Sequence, residues 1–439
     1  MLSLVFIAFS CSDNVIDDEL NKQNLNEERK SSMALSVDQA KIYASMFCNY
    51  LDEKDADPES NLKTRSSGKV NKELSNIDYY IENGDTLLYA FNYKDDNGYI
   101  IIAADNSTFP ILAHSSKGNL KFKDINSESS LNLFISAYKQ RTKERLAKVE
   151  DTEYYQNWKD LGNKDYEYEI IPNNDEPIPV TKGRRKNSSG KKSIYPYTGI
   201  ELDAWCQEDG YNYYAPNKAR IGCPAIAIGM LMYDTSQRMN GSFTPTYPEF
   251  NFFYDAYNMR EVDGSETARK LRQIADSIPN YNWGARKDAE SGASLDEIKI
   301  GLRKLGYKNA DYVPYDFETL YNNLSFKGYD YFGEEVTRYR GVLLAAWEPS
   351  GKGHIWFCDG YYEQSYTCKK KFLGITIRTW TEYDDRLYMN WGWGPRHGNG
   401  WYCATDKYWT SNEGNDEQTL KIYPNIYINL NYYEYPKLY

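Results

Sequence analysis

Apolar residues follow two different periods in the first third of the chain. The segment SVDQAKIYASMFCNYL, which begins at Ser36, opens with a capping signal and then spaces its apolar side chains as a helix does. Two later runs, DTLLYAFNY (85–93) and GYIIIAAD (98–105), are typical of strands, and the DDNG between them signals a turn. Together with a second amphipathic helix over 130–148, this pattern predicts a compact α+β unit.

The pattern changes after Tyr195, where Trp, Tyr and Gly become frequent. In RIGCPAIAIGMLMYD (220–234) the residues after Cys223 are apolar on every side, which predicts a buried helix, and another helix is predicted over 294–305. Helices followed by strands predict an α+β domain built from two halves. The predicted strands are GVLLAAW (341–347), HIWFCDGYY (354–362), FLGITIRTW (372–380) and RLYMNW (386–391).

Two polar segments separate these units. Residues 12–33 are rich in Asn, Asp, Glu and Lys, which predicts a solvated, flexible tether. The stretch IPNNDEPIPVTKGRRKNSSGKKS combines prolines with basic and small residues, and it predicts either a plain linker or an exposed site of proteolytic processing. The predicted organisation is a signal segment (1–11), the tether (12–33), an α+β unit (34–170), a basic processing linker (171–194) and a C-terminal domain (195–439).

The first residues have the pattern of an export signal. An apolar run from Leu2 to Phe9 ends in Ser10 and Cys11, and acidic residues follow. A short hydrophobic run before a cysteine resembles a bacterial lipoprotein signal, in which that cysteine receives the lipid, although the usual basic residues before the run are missing. We therefore expect Cys11 to be a lipidation site and the protein to be an exported outer-membrane or cell-surface lipoprotein, with release of a secreted mature form as a further expectation.

Length and charge narrow the functional classes. The 439 residues suffice for two or three domains, and a net charge of −11 argues against nonspecific binding of nucleic acid. No other segment reaches the length of about 18 apolar residues that a membrane span needs. The seven cysteines include no CxxC pair, so a zinc site is not expected, whereas Cys358 and Cys368 can pair if they face each other across a hairpin.

Cys223 is the first candidate for chemistry. Gly222 permits a tight turn, and Pro224 suits the first turn of a helix. A thiol at the start of a helix lies in the positive end of the helix dipole, which lowers the pKa of the thiol and favours the thiolate. The alternative is a small buried residue of the core, as most free cysteines are.

A thiolate nucleophile requires a base, and the chain has three histidines. His114 lies in the N-terminal unit, and His397 lies in the glycine-rich GPRHGNG, where a base is poorly aimed. His354 begins a predicted strand and is therefore the best candidate, with a surface histidine at a hairpin as the alternative.

Three further residues complete a hypothetical site. Asn390 lies on the strand RLYMNW and can accept a hydrogen bond from the imidazole, and Trp391 can shield that bond from water. The backbone N–H of Cys223 and the side-chain amide of Gln207 are candidate donors to an oxyanion. The alternatives are a turn asparagine, core tryptophans and an exposed glutamine.

Four separated motifs occur in a fixed order: W-x-Q at Trp205, G-C at Cys223, GHIWFCDGYY at His354 and NWGWG at Asn390. In that order they resemble the streptopain family of papain-like cysteine peptidases. The resemblance implies a two-lobed catalytic domain, with Cys223 as nucleophile, His354 as base, Asn390 and Trp391 as the pair that orients the imidazole, and Gln207 as oxyanion donor. It implies no cofactor and no metal.

The N-terminal unit fits the same resemblance. The segment LLYAFNY…NGYIIIAADNSTFPILAHS (87–115) is similar to the prodomain of that family, so residues 34–170 are expected to be an intramolecular inhibitor whose removal activates the enzyme. The expected partner is a protein or peptide substrate, with no nucleic acid and with membrane contact only through a lipid anchor.

Two other functions stay open. A cell-wall amidase or a transglutaminase-like enzyme also places cysteine before histidine, but its third residue is usually His or Asp, whereas here it is Asn. A catalytically dead, peptidase-like binding protein is the third hypothesis, and the presence of all the catalytic residue types argues against it.

Overall fold

A computed structural model describes most of the chain between residues 33 and 423. The described residues are 33–52, 73–106, 109–125, 131–138 without 133 and 137, 153–173, 192–194, 202–238, 266–307, 309–315, 317–329, 335–339, 341–347, 353–394, 398–403 and 421–423. The expected lipidation site Cys11, the tether 12–32, the middle of the linker (174–191) and His397 lie outside them.

The N-terminal unit is a helix packed on antiparallel strands. Its elements are α1 (Val37–Asp52), β1 (Leu74–Glu82), β2 (Asp85–Tyr93), β3 (Tyr99–Ala103), β4 (Ile111–Ser115), α2 (Glu153–Trp158) and β5 (Tyr166–Pro172). The predicted helix after Ser36 and both predicted strands are confirmed, and the described residues of 131–138 are helical. Strands β2 and β3 are buried along most of their length because α1 covers one face and a core that includes helical residues of 131–138 covers the other, which explains their continuous apolar runs.

Helices dominate the first half of the C-terminal domain. They are α3 (Cys223–Arg238), α4 (Glu266–Ser277), α5 (Leu295–Lys304) and α6 (Phe317–Leu324). The two predicted helices, α3 and α5, are confirmed. Ser294 caps α5 in a capping box with Glu297, which explains why that helix begins where it does.

The described strands form one large sheet and one separate hairpin. The later strands are β6 (Lys192–Ile194), β7 (Val313–Pro314), β8 (Ser325–Tyr329), β9 (Glu335–Tyr339), β10 (Val342–Trp347), β11 (Gly353–Phe372), β12 (Ile375–Asn390), β13 (Gly400–Cys403) and β14 (Lys421–Tyr423). In the large sheet the order is β1-β2-β3-β4-β13-β12-β11-β10-β14-β7, β5 and β6 also pair with β11, and β8 pairs with β9 alone. Each recorded strand pair in both sheets is antiparallel.

The long hairpin formed by β11 and β12 differs from the prediction. The sequence predicted three separate strands in this region, but the chain forms two long ones joined at Leu373 and Gly374. The polar stretch EQSYTCKKK continues β11 because β5 and β6 pair along its outer edge and bury most of its residues. The predicted strand 372–380 was wrong because a turn lies inside it.

Two hydrophobic cores flank β10 and β11 in the C-terminal domain. Leu343 and Ile355 pack among the helices, whereas Leu344 and Trp356 pack on the opposite face with β12 and β13. Successive side chains of a strand point to opposite faces, so an alternating apolar run serves two cores at once. The predicted α+β class is confirmed: a buried helix that starts at Cys223 packs on an antiparallel strand that carries His354.

The sheet runs without interruption from the N-terminal unit into the C-terminal domain. Strand β4 pairs with β13 through Trp401 and His114, and β5 pairs with β11. Two ends of the predicted linker, Ile171–Pro172 and Lys192–Ile194, are also strands on β11. The domain boundaries stay predictions. Among the described helices, none has the length and apolar character needed to cross a membrane.

Five cysteines whose side chains the structure describes form no disulfide: Cys206, Cys223, Cys358, Cys368 and Cys403. Cys358 and Cys368 lie on the same strand, opposite Met389 and Trp380 respectively, so they do not face each other across the hairpin. The possible disulfide between them is therefore wrong.

Candidate active site

Two hydrogen bonds at Ile221, one to Gln207 and one from Tyr281, fix the loop before Cys223. The backbone N–H of Ile221 donates to the carbonyl of Gln207 at 3.0 Å, and the Tyr281 hydroxyl donates to the carbonyl of Ile221 at 2.7 Å. Gly222 has a φ of +94°, and a Cβ there would overlap the Tyr281 hydroxyl and the carbonyl of Ser291. Glycine is thus required at this position, and the turn delivers Cys223 to the first position of α3.

The Cys223 thiol is partly buried between α3 and β11. Burial raises the pKa of this thiol to about 12, and the nearby Glu290 carboxylate adds to the rise, whereas the backbone amides of Ile355 and of Cys223 itself oppose it. The thiolate expected from the helix dipole is therefore not favoured in this form of the chain, because lost hydration outweighs the dipole.

His354 lies at the start of β11, directly before Ile355, and is 8 % exposed. Its Nε2 is 3.0 Å from the carbonyl oxygen of Trp391. A carbonyl only accepts, so Nε2 carries the proton and donates in this contact. Burial lowers the pKa of the imidazole to about 4, so His354 is neutral at pH 7.

The candidate nucleophile, Cys223, and the candidate base, His354, are neighbours, but no hydrogen bond joins their side chains. The Cys223 thiol contacts the backbone amide of Ile355, which is the residue after His354. Among the described residues the imidazole hydrogen-bonds the Trp391 carbonyl and neither the thiol nor the Asn390 side chain. A neutral thiol beside a neutral imidazole is a resting arrangement, since catalysis by such a pair requires proton transfer between them.

Asn390 and Trp391 lie at the same corner of the sheet, at the end of β12. Asn390 is paired with Phe357 across the hairpin, and its Oδ1 accepts from the backbone N–H of Gly392 at 3.1 Å. The Trp391 indole donates to the carbonyl of Gly398 at 3.0 Å, and its ring packs 4.8 Å from that of Trp356. The expected contacts of these two side chains with the imidazole are not made in this form, and their roles stay predictions.

Trp393 is the tryptophan that covers the imidazole, and sequence reasoning missed it. The rings of Trp356 and Trp393 stack near-parallel to His354, with centroid distances of 6.1 Å and 6.2 Å. The Arg220 guanidinium lies 5.0 Å from the centre of the Trp393 ring and forms an ion pair with Glu208 at 2.6 Å. The second Trp of NWGWG was the available signal.

Gln207 lies on the loop that is tied to Cys223 through Ile221. It is 3 % exposed, and within the described part of the chain its Nε2 has no hydrogen-bond partner. A buried amide that donates to nothing is unusual, because each such group loses the hydration it had in the unfolded chain. The arrangement leaves an amide donor available, as an oxyanion site requires.

Comparison with known proteins extends these observations. Residues 32–142 match the family model described as Spi protease inhibitor. The chain is 21 % identical over 366 residues to the thiol protease/hemagglutinin PrtT of Porphyromonas gingivalis, an alignment that covers 77 % of this chain and 36 % of that protein. The chain therefore spans about a third of that relative's length.

A solved structure is also similar. It is that of a mutant fragment of Prevotella intermedia prointerpain A, with 16 % identity, coverage of 80 % of this chain and 98 % of that one, and a TM-score of 0.46.

The chain resembles thiol protease zymogens that carry an inhibitory propeptide. The predicted resemblance to streptopain-like cysteine peptidases is thereby confirmed, since residues 32–142 match a protease inhibitor and most of the chain is similar in sequence to a thiol protease.

Proposed function

We propose that the chain is the exported, lipid-anchored zymogen of a cysteine endopeptidase. The contact between the Cys223 thiol and the backbone amide beside His354 carries the proposal, because it puts a nucleophile and a base on facing elements, α3 and β11. The match of residues 32–142 to a protease inhibitor supports the zymogen.

The reaction follows from the groups at hand. His354 takes the thiol proton, and the Cys223 sulfur attacks the carbonyl carbon of the scissile peptide bond. The oxyanion accepts from the backbone N–H of Cys223 and from the Gln207 amide. The imidazolium then protonates the leaving amine as the C–N bond breaks, and His354 activates a water that hydrolyses the thioester.

Inhibition by the N-terminal unit accords with the resting geometry. In the uncut chain the thiol and the imidazole are both neutral, and the imidazole donates to a carbonyl rather than engaging the thiol. Activation would require cleavage within the basic linker (171–194) and departure of the unit before it. Departure of this unit would let water reach the Cys223 thiol and the His354 imidazole, and it would let His354 turn toward Cys223.

Self-cleavage is the direct test of this function. The full chain should cut itself in the linker and then hydrolyse casein, whereas Cys223→Ala should stay uncut and inactive. Cys358→Ala removes a buried thiol elsewhere on β11 and is the matched control, which should process normally. Processing of the Cys223→Ala chain alone in solution would refute the assigned nucleophile, and hydrolysis of cell-wall peptides but not of casein would favour an amidase.

Anchoring at Cys11 has its own test. Wild-type protein should incorporate labelled fatty acid and sediment with membranes, and Cys11→Ala should do neither. Equal membrane association of both proteins would contradict the anchor without affecting the peptidase proposal.

A further inference from the structure

The tip of the β11–β12 hairpin displays large apolar side chains to solvent. Phe372 is 39 % exposed, Leu373 73 %, Ile375 70 % and Ile377 54 %. Four exposed large hydrophobic residues within six positions are unusual on a soluble surface, where such side chains normally occur singly. The rest of the hairpin is largely buried, so the exposed apolar surface is confined to its end.

The turn itself favours a polar residue that the chain does not use. Leu373 has a φ of 47° and Gly374 a φ of 81°, which is the geometry of a two-residue type I′ turn. Asn is preferred at the first of these positions, because Asn tolerates positive φ and Leu does not. A leucine kept here is explained by a need for an apolar tip.

Cations surround this tip, and each of them is matched by a carboxylate from the segment 153–169. Glu169 pairs with Lys371 at 2.9 Å and with Lys369 at 3.6 Å. Lys370 pairs with Asp160, and Arg378 lies 3.4 Å from Glu153.

The region 369–378, KKKFLGITIR, contains four cations and no acidic residue. Three carboxylates from α2, β5 and the loop between them therefore neutralise these four cations only in part.

We propose that this hairpin tip, residues 369–378, is a docking surface for an anionic lipid membrane and that the segment 153–169 partly neutralises it in the uncut chain. An apolar end inserts among acyl chains while flanking lysines reach the headgroups, which is how interfacial segments bind. A second copy of this chain fits the surface poorly, because two tips packed together would bring eight cations into proximity against six carboxylates of the two segments 153–169.

The step at which the four cations of the tip become fully exposed rests on the proposed function. If the N-terminal unit leaves after cleavage of the linker, Glu153, Asp160 and Glu169 leave with it, and the four cations become free. Lipid binding itself is a property of the tip and is testable in a chain that cannot cut itself.

The experiment measures sedimentation of the full chain with vesicles, in the Cys223→Ala background so that proteolysis does not interfere. Vesicles of phosphatidylcholine mixed with phosphatidylglycerol are compared with phosphatidylcholine alone. All proteins carry the same N-terminal segment, so differences between variants report the tip. The triple change Leu373→Asn, Ile375→Thr and Ile377→Thr removes the apolar side chains while keeping residues that suit the turn and the strand.

We expect the triple variant to bind anionic vesicles at least about tenfold more weakly than its parent. Ile300→Thr, which changes an isoleucine 43 % exposed on α5, should bind as the parent does. Glu169→Gln leaves Lys369 and Lys371 without their shared carboxylate and should strengthen binding to anionic vesicles about fivefold, with no gain on neutral ones.

Equal binding by the triple variant and its parent, at unchanged melting temperature, would overturn the proposal. So would equal binding to neutral and anionic vesicles, or sedimentation without vesicles, which would mark the tip as a self-association surface. These outcomes leave the peptidase proposal intact, because casein hydrolysis by the unmodified chain tests that separately.

Discussion

The two ends of the β11–β12 hairpin have opposite surroundings. At the end that carries His354 and Asn390, Ile355 and Phe357 pack into a core built from the C-terminal domain itself, whereas Trp356 packs into a core shared with the N-terminal unit. At the far end, Lys370 and Trp380 rely on α2 and β5 for their partners. The proposed departure of the N-terminal unit would therefore leave the first end in contact with the helices of its own domain and would remove these partners from the far end.

This difference shows how one element can serve both activity and its control. The contacts that the His354 end makes with the helices of its own domain would persist after the proposed departure of the N-terminal unit, so the base would keep its position in the sheet. Contacts at the far end would be lost in that event, together with their contribution to stability. Changes at the first end should therefore alter turnover, and changes at the second should alter the stability of the uncut chain.

The largest expected effect is at the His354 end. His354→Ala should lower kcat/KM of the processed enzyme on a peptide substrate by about 10² to 10⁴, the range for a lost general base. His114→Gln, which changes a buried histidine of β4 in the N-terminal unit, should leave that value unchanged. Similar losses in both variants would show that fold damage rather than chemistry is being measured.

The next effect concerns the reactivity of Cys223. With a pKa near 12 in the uncut chain, on the order of 10⁻⁴ of this thiol is thiolate near pH 8. Alkylation by iodoacetamide, followed by mass spectrometry of the Cys223 peptide, should therefore be slow and should accelerate about tenfold per pH unit between pH 7 and 9. Cleavage of the linker should speed it at least about tenfold, and equal rates before and after cleavage would contradict relief of burial.

A smaller effect on turnover is expected at Trp393, and it should distinguish this residue from Trp380 at the far end of the hairpin. Trp393→Leu should lower kcat of the processed enzyme about tenfold with little change in KM, because the imidazole loses a wall that positions it. Trp380→Leu should lower the melting temperature of the uncut chain, since the Trp380 ring packs 5.1 Å from that of Trp158, and should leave kcat alone. The reverse pattern would invalidate the division between the two ends.

The smallest effect is a dependence of stability on pH at the far end. Burial raises the pKa of Glu382 to about 7, while the Trp158 and Trp380 indoles donate to its Oε1 and oppose the rise. The folded chain therefore holds this proton after the unfolded chain has lost it, and stability falls as pH rises from about 4.5 to 7.

Glu382→Gln should remove part of that fall, worth about 1 to 3 kcal/mol, and raise the melting temperature of the uncut chain at pH 8 but not at pH 4. Glu167→Gln, at an exposed residue of β5, is the control and should not change the pH profile. If the Glu382→Gln chain kept the wild-type dependence of stability on pH, ionisation of the Glu382 carboxyl would cost the folded chain little free energy.

Local sequence patterns predicted the elements that carry chemistry. The helices over 223–238 and 295–304 are specified by neighbours within one or two turns, through the apolar run after Cys223 and the capping box that Ser294 forms with Glu297, so both helices were predictable. The polar half of β11 was not, since its strand depends on pairing with β5, almost two hundred residues earlier in the chain. The turn at Leu373 was missed because its residue contradicts the usual turn preference.

By itself the sequence determined which groups are available: one cysteine at a helix start, one histidine opening a strand, and a glutamine upstream. The tertiary structure alone decided their state, because protonation depends on which chain segments exclude water from them. It raised the pKa of the Cys223 thiol, lowered that of His354, and directed the imidazole to the Trp391 carbonyl. Residue type is local information, whereas burial and partner choice are set by contacts between distant segments.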